Sequence, residues 1–600
     1  MLNQHRLSAR DFDMLAAGLG SAATVSSLRA TQFSRRLIGL RAVLDAADRA
    51  GYSDAPGLAA GWELLKTAQQ HDVAASATVL GYPFVGSWVG HCLRLLRGAP
   101  NGTTARELGY LGCVAAAAAV RAAIPFSIEV PVREGMVCLP TLGRMAVHDA
   151  RTVKVRSDGG ETVIDEAPLG QGAAWRELRH VTWETRGLSL SVALDDIDPF
   201  RGAPGLPVAP RLSDDAVLAW RRVFGDAWRI LAHHHAHYAD AIGAALVAVV
   251  PLAAARPDRG VNATSRESFG AVAVSETRDP VILASVLVHE CQHAKLNAVL
   301  DLIPLSRPNQ ARYYAPWRAD PRPIDGLLHG AYAYLGVSDF WRVQSVVATT
   351  PHRSYAQLEF ARWSDCTAGA IETLLDSGSL TAAGSRFVRR MRGRLRTWND
   401  AVPDEPLDLA RLAAADHRLG WRLRNAHPDD AAIARLTEAW SAGQPTAPST
   451  VDHTDYVDGG VALGATSRLD LLHLRVRDPD GFTRKVHSAD IDGTEGDLLF
   501  AAGDAKAAAA AYRHRIKDDP ACREAWAGLA LALRAVRPGL AAQSLCNGPE
   551  VVYAVYNRLV RATGEAPDPE VLAGWLAPVI PADHLLPREF SGQESPSRTL

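Results

Sequence analysis

The sequence predicts a mainly helical chain with a small antiparallel β region, an α+β class, and three observations carry that prediction. Ala/Leu-rich stretches free of internal proline, such as 37–50 and 105–123, read as helices. Between 124 and 201 the texture changes to short β-branched runs separated by Gly, Pro and Asp: Phe126-Ser127-Ile128-Glu129-Val130, Thr152-Val153-Lys154-Val155 and Leu188-Ser189-Leu190-Ser191-Val192. Hydrophobic residues make up 48% of the 600 and charged residues 22%, an ordinary globular balance.

Length alone divides such a chain into about three or four units. Residues 1–125 read as an N-terminal helical region and 126–210 as a small β-rich region. Region 211–440 has helices expected at 214–250, 281–302, 324 to about 417 and 430–440, with a strand at 269–275 and a Pro/Arg-rich loop at 303–323. Residues 441–492 read as linker and extended segment, opened by the Pro/Ser-bearing stretch 441–449. Residues 493–600 read as a tetratricopeptide-like helical region and tail. In a ~34-residue register anchored at Pro520, Gly503, Ala508 and Tyr512 take consensus places, and Trp526, Leu529, Ala530 and Leu533 open the next repeat. About one and a half repeats cannot stand alone as a solenoid, so packing on the main body is expected. An ordinary helical hairpin would give the same pattern.

The formal net charge is -2, which points to neither nucleic acid nor an anionic membrane surface. The start, Met1-Leu2-Asn3-Gln4-His5-Arg6, lacks the apolar stretch of a signal peptide. The longest uncharged apolar run, 242–255, is too short for a bilayer and contains Pro251. Seven cysteines without a CxxC fit free thiols in a reducing compartment. The expected setting is cytoplasmic.

One segment carries chemistry. In the helix expected at 281–302, His289 and His293 are four residues apart and lie one above the other on one face, so two imidazoles can reach one ion. Glu290 lies about 100° round the axis and can border the site without being one of those two ligands. The apolar surroundings suit a buried metal, although two helical histidines can also be satisfied in a core.

For a third ligand, the metzincin extension would place a glycine and a histidine further along the same helix, but Leu296 and Val299 stand at those positions. No glutamate occurs between Glu290 and Glu359, against the commonest zinc-peptidase layout. The candidates are Asp301, Asp320, Asp325 and His329. His329 is favoured, with Asp325 one turn earlier as a supporting partner or the ligand itself. The loop Arg312-Tyr313-Tyr314-Ala315-Pro316-Trp317-Arg318-Ala319-Asp320-Pro321-Arg322-Pro323 is stiffened by proline, and its arginines have the planar fork that grips a carboxylate.

Taken together, Ser268-Phe269-Gly270, the His289-to-Leu296 string, Pro316-Trp317-Arg318, Asp320-Pro321-Arg322-Pro323 and Gly326-Leu327-Leu328-His329-Gly330 resemble the HExxH-motif proteins of ribosomal-peptide biosynthesis. These accompany radical-SAM peptide maturases and are assigned as iron(II)- and 2-oxoglutarate-dependent peptide β-hydroxylases. The resemblance spans most of the chain to about Trp440. It implies a zincin-like helix with iron(II) on His289, His293 and His329. Arg318 or Arg322, with Tyr314, would hold 2-oxoglutarate, and Glu290 would orient a ligand or water rather than act as obligatory base. It also implies a ribosomally made precursor peptide as substrate and a radical-SAM maturase of the same pathway as partner.

Two rivals stand beside that reading. One is a zinc peptidase in which Glu290 activates water. The other is a non-catalytic peptide-binding scaffold with a structural metal. Elsewhere, His233, His234, His235 and His237 suggest a second metal site, or solvent-facing histidines. Asp195-Asp196-Ile197-Asp198-Pro199 reads as a strand-ending turn before a cation site, and Cys291 as a buried helical thiol.

Overall fold

The computed structural model describes residues 5–98, 102–148, 150–172, 174–202, 206–253, 260–349, 352–446, 454–457, 466–486 and 495–581. Residues 1–4, 447–449 of the expected linker and the tail beyond 581 lie outside them. The fold is mixed and mainly helical. It packs as two compact units, each discontinuous in sequence: 1–305 with 332–340 and 380–396, and 306–331 with 341–379 and 397–600.

The first unit opens with helices, among them Ala22–Arg49, Leu58–His71 and Thr104–Arg121. Leu58–His71 and Thr104–Arg121 touch backbone to backbone, because a Cβ on Gly61 would stand only 2.8 Å from the Gly112 nitrogen. Antiparallel strands follow. Pro125–Pro131, Thr152–Asp158, Thr162–Ile164 and Ala167–Pro168 form one sheet, and Met136–Leu139, Gly143–Ala146 and Trp175–Glu177 another.

A third sheet departs from the expectation. Its five strands lie in the order Asn262–Ala263, Ala271–Ser275, Ala248–Leu252, Leu188–Leu194, Arg179–Thr185. It is mixed, since Ala248–Leu252 runs parallel to both its neighbours. The helix expected at 214–250 is therefore two helices, Asp214–His234 and Ala236–Ala245, followed by a strand. A parallel strand buried on both faces reads as a continuous apolar run, which periodicity cannot tell from buried helix.

Strand Ala271–Ser275 leads into the motif helix, Pro280–Leu300. Asp279 caps it by accepting from the Val281 and Ile282 amides at 2.9 and 3.2 Å, and Pro280 takes the first position, where no N–H is needed. The helix packs against Ala22–Arg49, Asp214–His234 and Ala236–Ala245 and is buried on almost every side. Its polar residues must therefore find partners inside the protein. Gln292 Nε2 donates to the Gly18 carbonyl at 3.1 Å, and Lys295 Nζ donates to the carbonyls of Gly18 and Leu19 at 3.0 and 3.1 Å. Tyr332 OH donates to the Leu15 carbonyl at 2.6 Å, pinning the same N-terminal turn.

The second unit is a succession of helices, including His352–Asp376, Asp404–Asn425, Ser467–Arg477, Glu495–Ala501, Ala505–Asp518 and Arg523–Val536. Inside it Arg468, 1% exposed, donates to Asp416 Oδ1 at 2.5 Å, Asp497 Oδ1 at 2.7 Å and Tyr512 OH at 2.8 Å. Thr466 and Ser467 hydroxyls donate to the second oxygens of those carboxylates. A buried charge network of this kind is tolerable because nearly every lone pair in it is used. All seven cysteines are free. Among the described residues no helix is long and apolar enough to cross a membrane.

Burial pushes the Lys295 amine down from its ordinary 10.5 to about 8. Between those values the unfolded chain binds the proton more tightly than the folded one, so raising the pH through this window favours folding. Denaturant titrations of wild type and Lys295→Met at pH 7.5 and 10.5 are expected to show wild type gaining about 3 kcal/mol on the variant at the higher pH. An unchanged difference would mean that the lysine titrates normally.

Candidate metal centre

The motif helix brings two of the expected ligands together. His289 and His293 are half-buried, and their Nε2 atoms stand 3.0 Å apart with the rings nearly perpendicular at 79°. Two nitrogens each ~2.1 Å from one ion and about 90° apart would have this spacing. In the metal-free protein the same distance suits a hydrogen bond from one imidazole to the other. Burial pulls the His289 imidazole down to about 4, so at neutral pH it is uncharged and can offer a lone pair to a cation. The Tyr334 ring packs against that of His289, nearly perpendicular at 83° with the ring centres 5.1 Å apart.

Glu290 is 2% exposed, and its Oε1 lies 3.9 Å from His289 Nε2. Asn262 Nδ2 donates to Oε1 and the Thr264 hydroxyl donates to Oε2. Both partners come from the short edge strand Asn262–Ala263 and the residue after it, held in place by antiparallel pairing with Ala271–Ser275. The carboxylate is thus fixed beside the imidazole pair, where its negative charge favours a cation. Neither oxygen is left without a protein donor. Sequence reasoning placed Glu290 at the border of the site but missed Asn262, Thr264 and Tyr334, for which no spacing rule exists.

The other candidates behave differently. Asp301 belongs to the first unit and is already engaged: Gln32 Nε2 donates to it at 2.9 Å, Arg266 pairs with it, and Arg35 lies 3.4 Å away. It is a structural anchor and not a free ligand. Asp320, Asp325 and His329 belong to the second unit. Asp320 lies between Arg318 Nε at 2.8 Å and Arg322 Nη1 at 2.9 Å. Burial would raise its carboxyl, but the hydrogen bonds from the two arginines outweigh this and hold it below the usual range. Asp325 is exposed and accepts from the Ser306 hydroxyl. His329 is half-buried in the first turns of the helix Ile324–Val347. Among the described residues no group of three or more His, Cys, Asp or Glu side chains is placed to hold one ion.

The residues expected to clamp a 2-oxo acid are also in the second unit. Arg318 and Arg322 each donate one N–H to Asp320, and the backbones of Tyr313 and Arg322 bridge the loop at 2.8 and 2.9 Å. Tyr314 OH meets His417 Nδ1 at 2.9 Å, and its ring lies edge-on to Trp421. The arginine loop is thus held closed on its own aspartate. The imidazole pair fits a divalent metal, and in the loop Arg318 commits its Nε and Arg322 its Nη1 to Asp320.

Of the histidine cluster, His233, His234 and His237 face solvent as expected, whereas His235 does not. The helix breaks at His235, so His233 and His237 do not share a helical face. His235 is fully buried and stacks on Phe340 at 4.5 Å. Asp195 Oδ1 accepts from the Ile197 and Asp198 amides, and Asp196 pairs with Arg211 and Arg179. Cys291 is buried, and that burial raises its thiol.

Cobalt(II) is a visible probe of imidazole ligation. Titration of the metal-free chain is expected to give one site whose affinity falls more than ~100-fold in His289→Ala or His293→Ala, since even residues that merely support ligands cost ~10–100-fold. Asn262→Ala is expected to fall in that lower range. Equal affinity in all four proteins would show that the pair is only a core hydrogen bond.

A scan of the chain against models of known protein families finds no match, and no curated protein matches it.

Proposed function

We propose that the chain is a cytoplasmic iron(II)- and 2-oxoglutarate-dependent oxygenase that hydroxylates a β-carbon of a residue in a ribosomally made precursor peptide. A radical-SAM maturase of the same pathway is its proposed partner. One observation carries this reading over hydrolysis: the Glu290 carboxylate is buried, with a hydrogen-bond donor on each oxygen. A zinc peptidase needs that carboxylate free to take a proton from bound water. Here it serves as a fixed negative charge beside the two imidazoles.

In this proposal iron supplies open positions for a chelating 2-oxo acid and for dioxygen. The chain's own residues do the rest. His289 and His293 hold the ion on a capped helix that cannot shift without unseating Gln292 and Lys295. Glu290 keeps the site electrostatically receptive to a cation, and Tyr334 packs against the His289 ring. The zincin-like description of this helix and the tetratricopeptide-like description of 495–536 are part of the same proposal. The latter is supported by helix boundaries that fall where the register expects. Gly503 takes a positive φ of 94° between Glu495–Ala501 and Ala505–Asp518, and Pro520 precedes Arg523–Val536. Peptide docking on those helices is the role proposed for them.

Anaerobic titration of the iron(II)-loaded chain with 2-oxoglutarate tests the reading. A weak visible charge-transfer band is expected, retained in Glu290→Gln and lost in His289→Ala. Absence of a band, with zinc retained and peptide hydrolysis abolished by Glu290→Gln, would replace the oxygenase by the peptidase.

A further inference from the structure

The second unit holds a cavity of about 570 Å³, a size that suits a metabolite or a few residues of peptide. Arg362, on the helix His352–Asp376, lines it and is only 7% exposed. Its Nε has no hydrogen-bond partner among the described residues, and the guanidinium instead lies 4.3 Å from the centre of the Trp363 ring. The buried Glu359 carboxylate, one turn earlier on the same helix, lies within range of its charge but accepts from Trp363 Nε1 at 2.7 Å and faces His473 at 3.3 Å. The guanidinium thus has no hydrogen-bonded carboxylate among the described residues, where a buried guanidinium ordinarily keeps one.

The acidic residues of the same walls are committed elsewhere. Asp320 sits between Arg318 and Arg322, Asp416 accepts from Arg468, and Glu524 faces Arg424 at 3.8 Å. Arg523 also lines the cavity, and its Nε likewise lacks a hydrogen-bond partner among the described residues. Trp421, on another wall, has an indole N–H with no acceptor among them. The cavity therefore combines unused donors with the flat faces of Trp317, Trp363 and Trp421.

We infer that this cavity is a receptor for a carboxylate carried on an aromatic or apolar body, with Arg362 as its anchor. The guanidinium fork matches two carboxylate oxygens, and the indoles offer the apolar contact. A phosphate dianion fits less well, because Asp416 and Glu524 in the walls would repel its second charge. The carboxylate can belong to an acidic side chain beside an aromatic one in a peptide, or to a free aromatic acid. The inference does not rest on iron, since none of its residues lies on the motif helix.

Calorimetry on the full chain distinguishes these sources, with N-acetylphenylalanine, its amide, and the blocked peptide acetyl-Phe-Asp-Phe-amide as probes. Millimolar or tighter binding of at least one carboxylate probe is expected, with the neutral amide at least ~10-fold weaker. Tighter binding of the peptide would identify a peptide side chain as the source, and tighter binding of the free acid a small molecule. Arg362→Gln is expected to weaken binding by more than ~10-fold, and Arg523→Gln, at a half-buried position that the fold tolerates better, by a smaller factor. Equal binding of acid and amide, no binding of either carboxylate probe, or unchanged affinity in both variants would overturn the inference.

Discussion

The burial of one polar helix is the constraint on which the first unit depends. Pro280–Leu300 is enclosed on almost every side yet carries His289, Glu290, Gln292, His293 and Lys295 within two turns. Each of these would cost free energy if left without a partner. Gln292 and Lys295 reach back to the carbonyls of Gly18 and Leu19, which fixes the N-terminal turn against the helix. Glu290 is answered by Asn262 and Thr264, which requires the edge strand to pair with Ala271–Ser275. The mixed sheet, the N-terminal helices and the motif helix are therefore mutually determined. What remains on the helix is the pair of imidazoles, facing each other at 3.0 Å.

The second unit solves a similar problem in two ways. Around Arg468 the charges are nearly all satisfied: Asp416, Asp497, Tyr512, Thr466 and Ser467 close a network that ties Asp404–Asn425 to Ser467–Arg477 and Ala505–Asp518. Beside it, the cavity containing Arg362 leaves donors unused. A fold that completes one buried network and leaves a neighbouring guanidinium open concentrates its unsatisfied polarity where a ligand can reach it.

What is legible in the sequence follows from the range of each interaction. The motif helix and the His289/His293 face are local periodicity, and they appear as expected, with the helix running from Pro280 to Leu300 rather than over 281–302. The strand Ala248–Leu252 reads as helix in the sequence because a short apolar run looks the same in either state. Glu290's donors lie 28 and 26 residues upstream, and no local pattern announces them. Arg318 and Arg322 look like a clamp because guanidinium chemistry is visible in sequence. That they close on Asp320 depends on a loop bridge between Tyr313 and Arg322. The cavity is invisible for the same reason, since its residues run from Pro316 to Ala527 and meet only after folding.

The central claim is that two imidazoles of one helix hold iron(II) beside a carboxylate that does no acid–base work. X-ray absorption on the anaerobic iron(II)-loaded full chain tests it most directly. The account predicts two imidazole nitrogens in the iron's coordination shell, lost together in the His289→Ala and His293→Ala double variant and kept in Glu290→Gln. An oxygen-only shell, or one unchanged in the double variant, would contradict it.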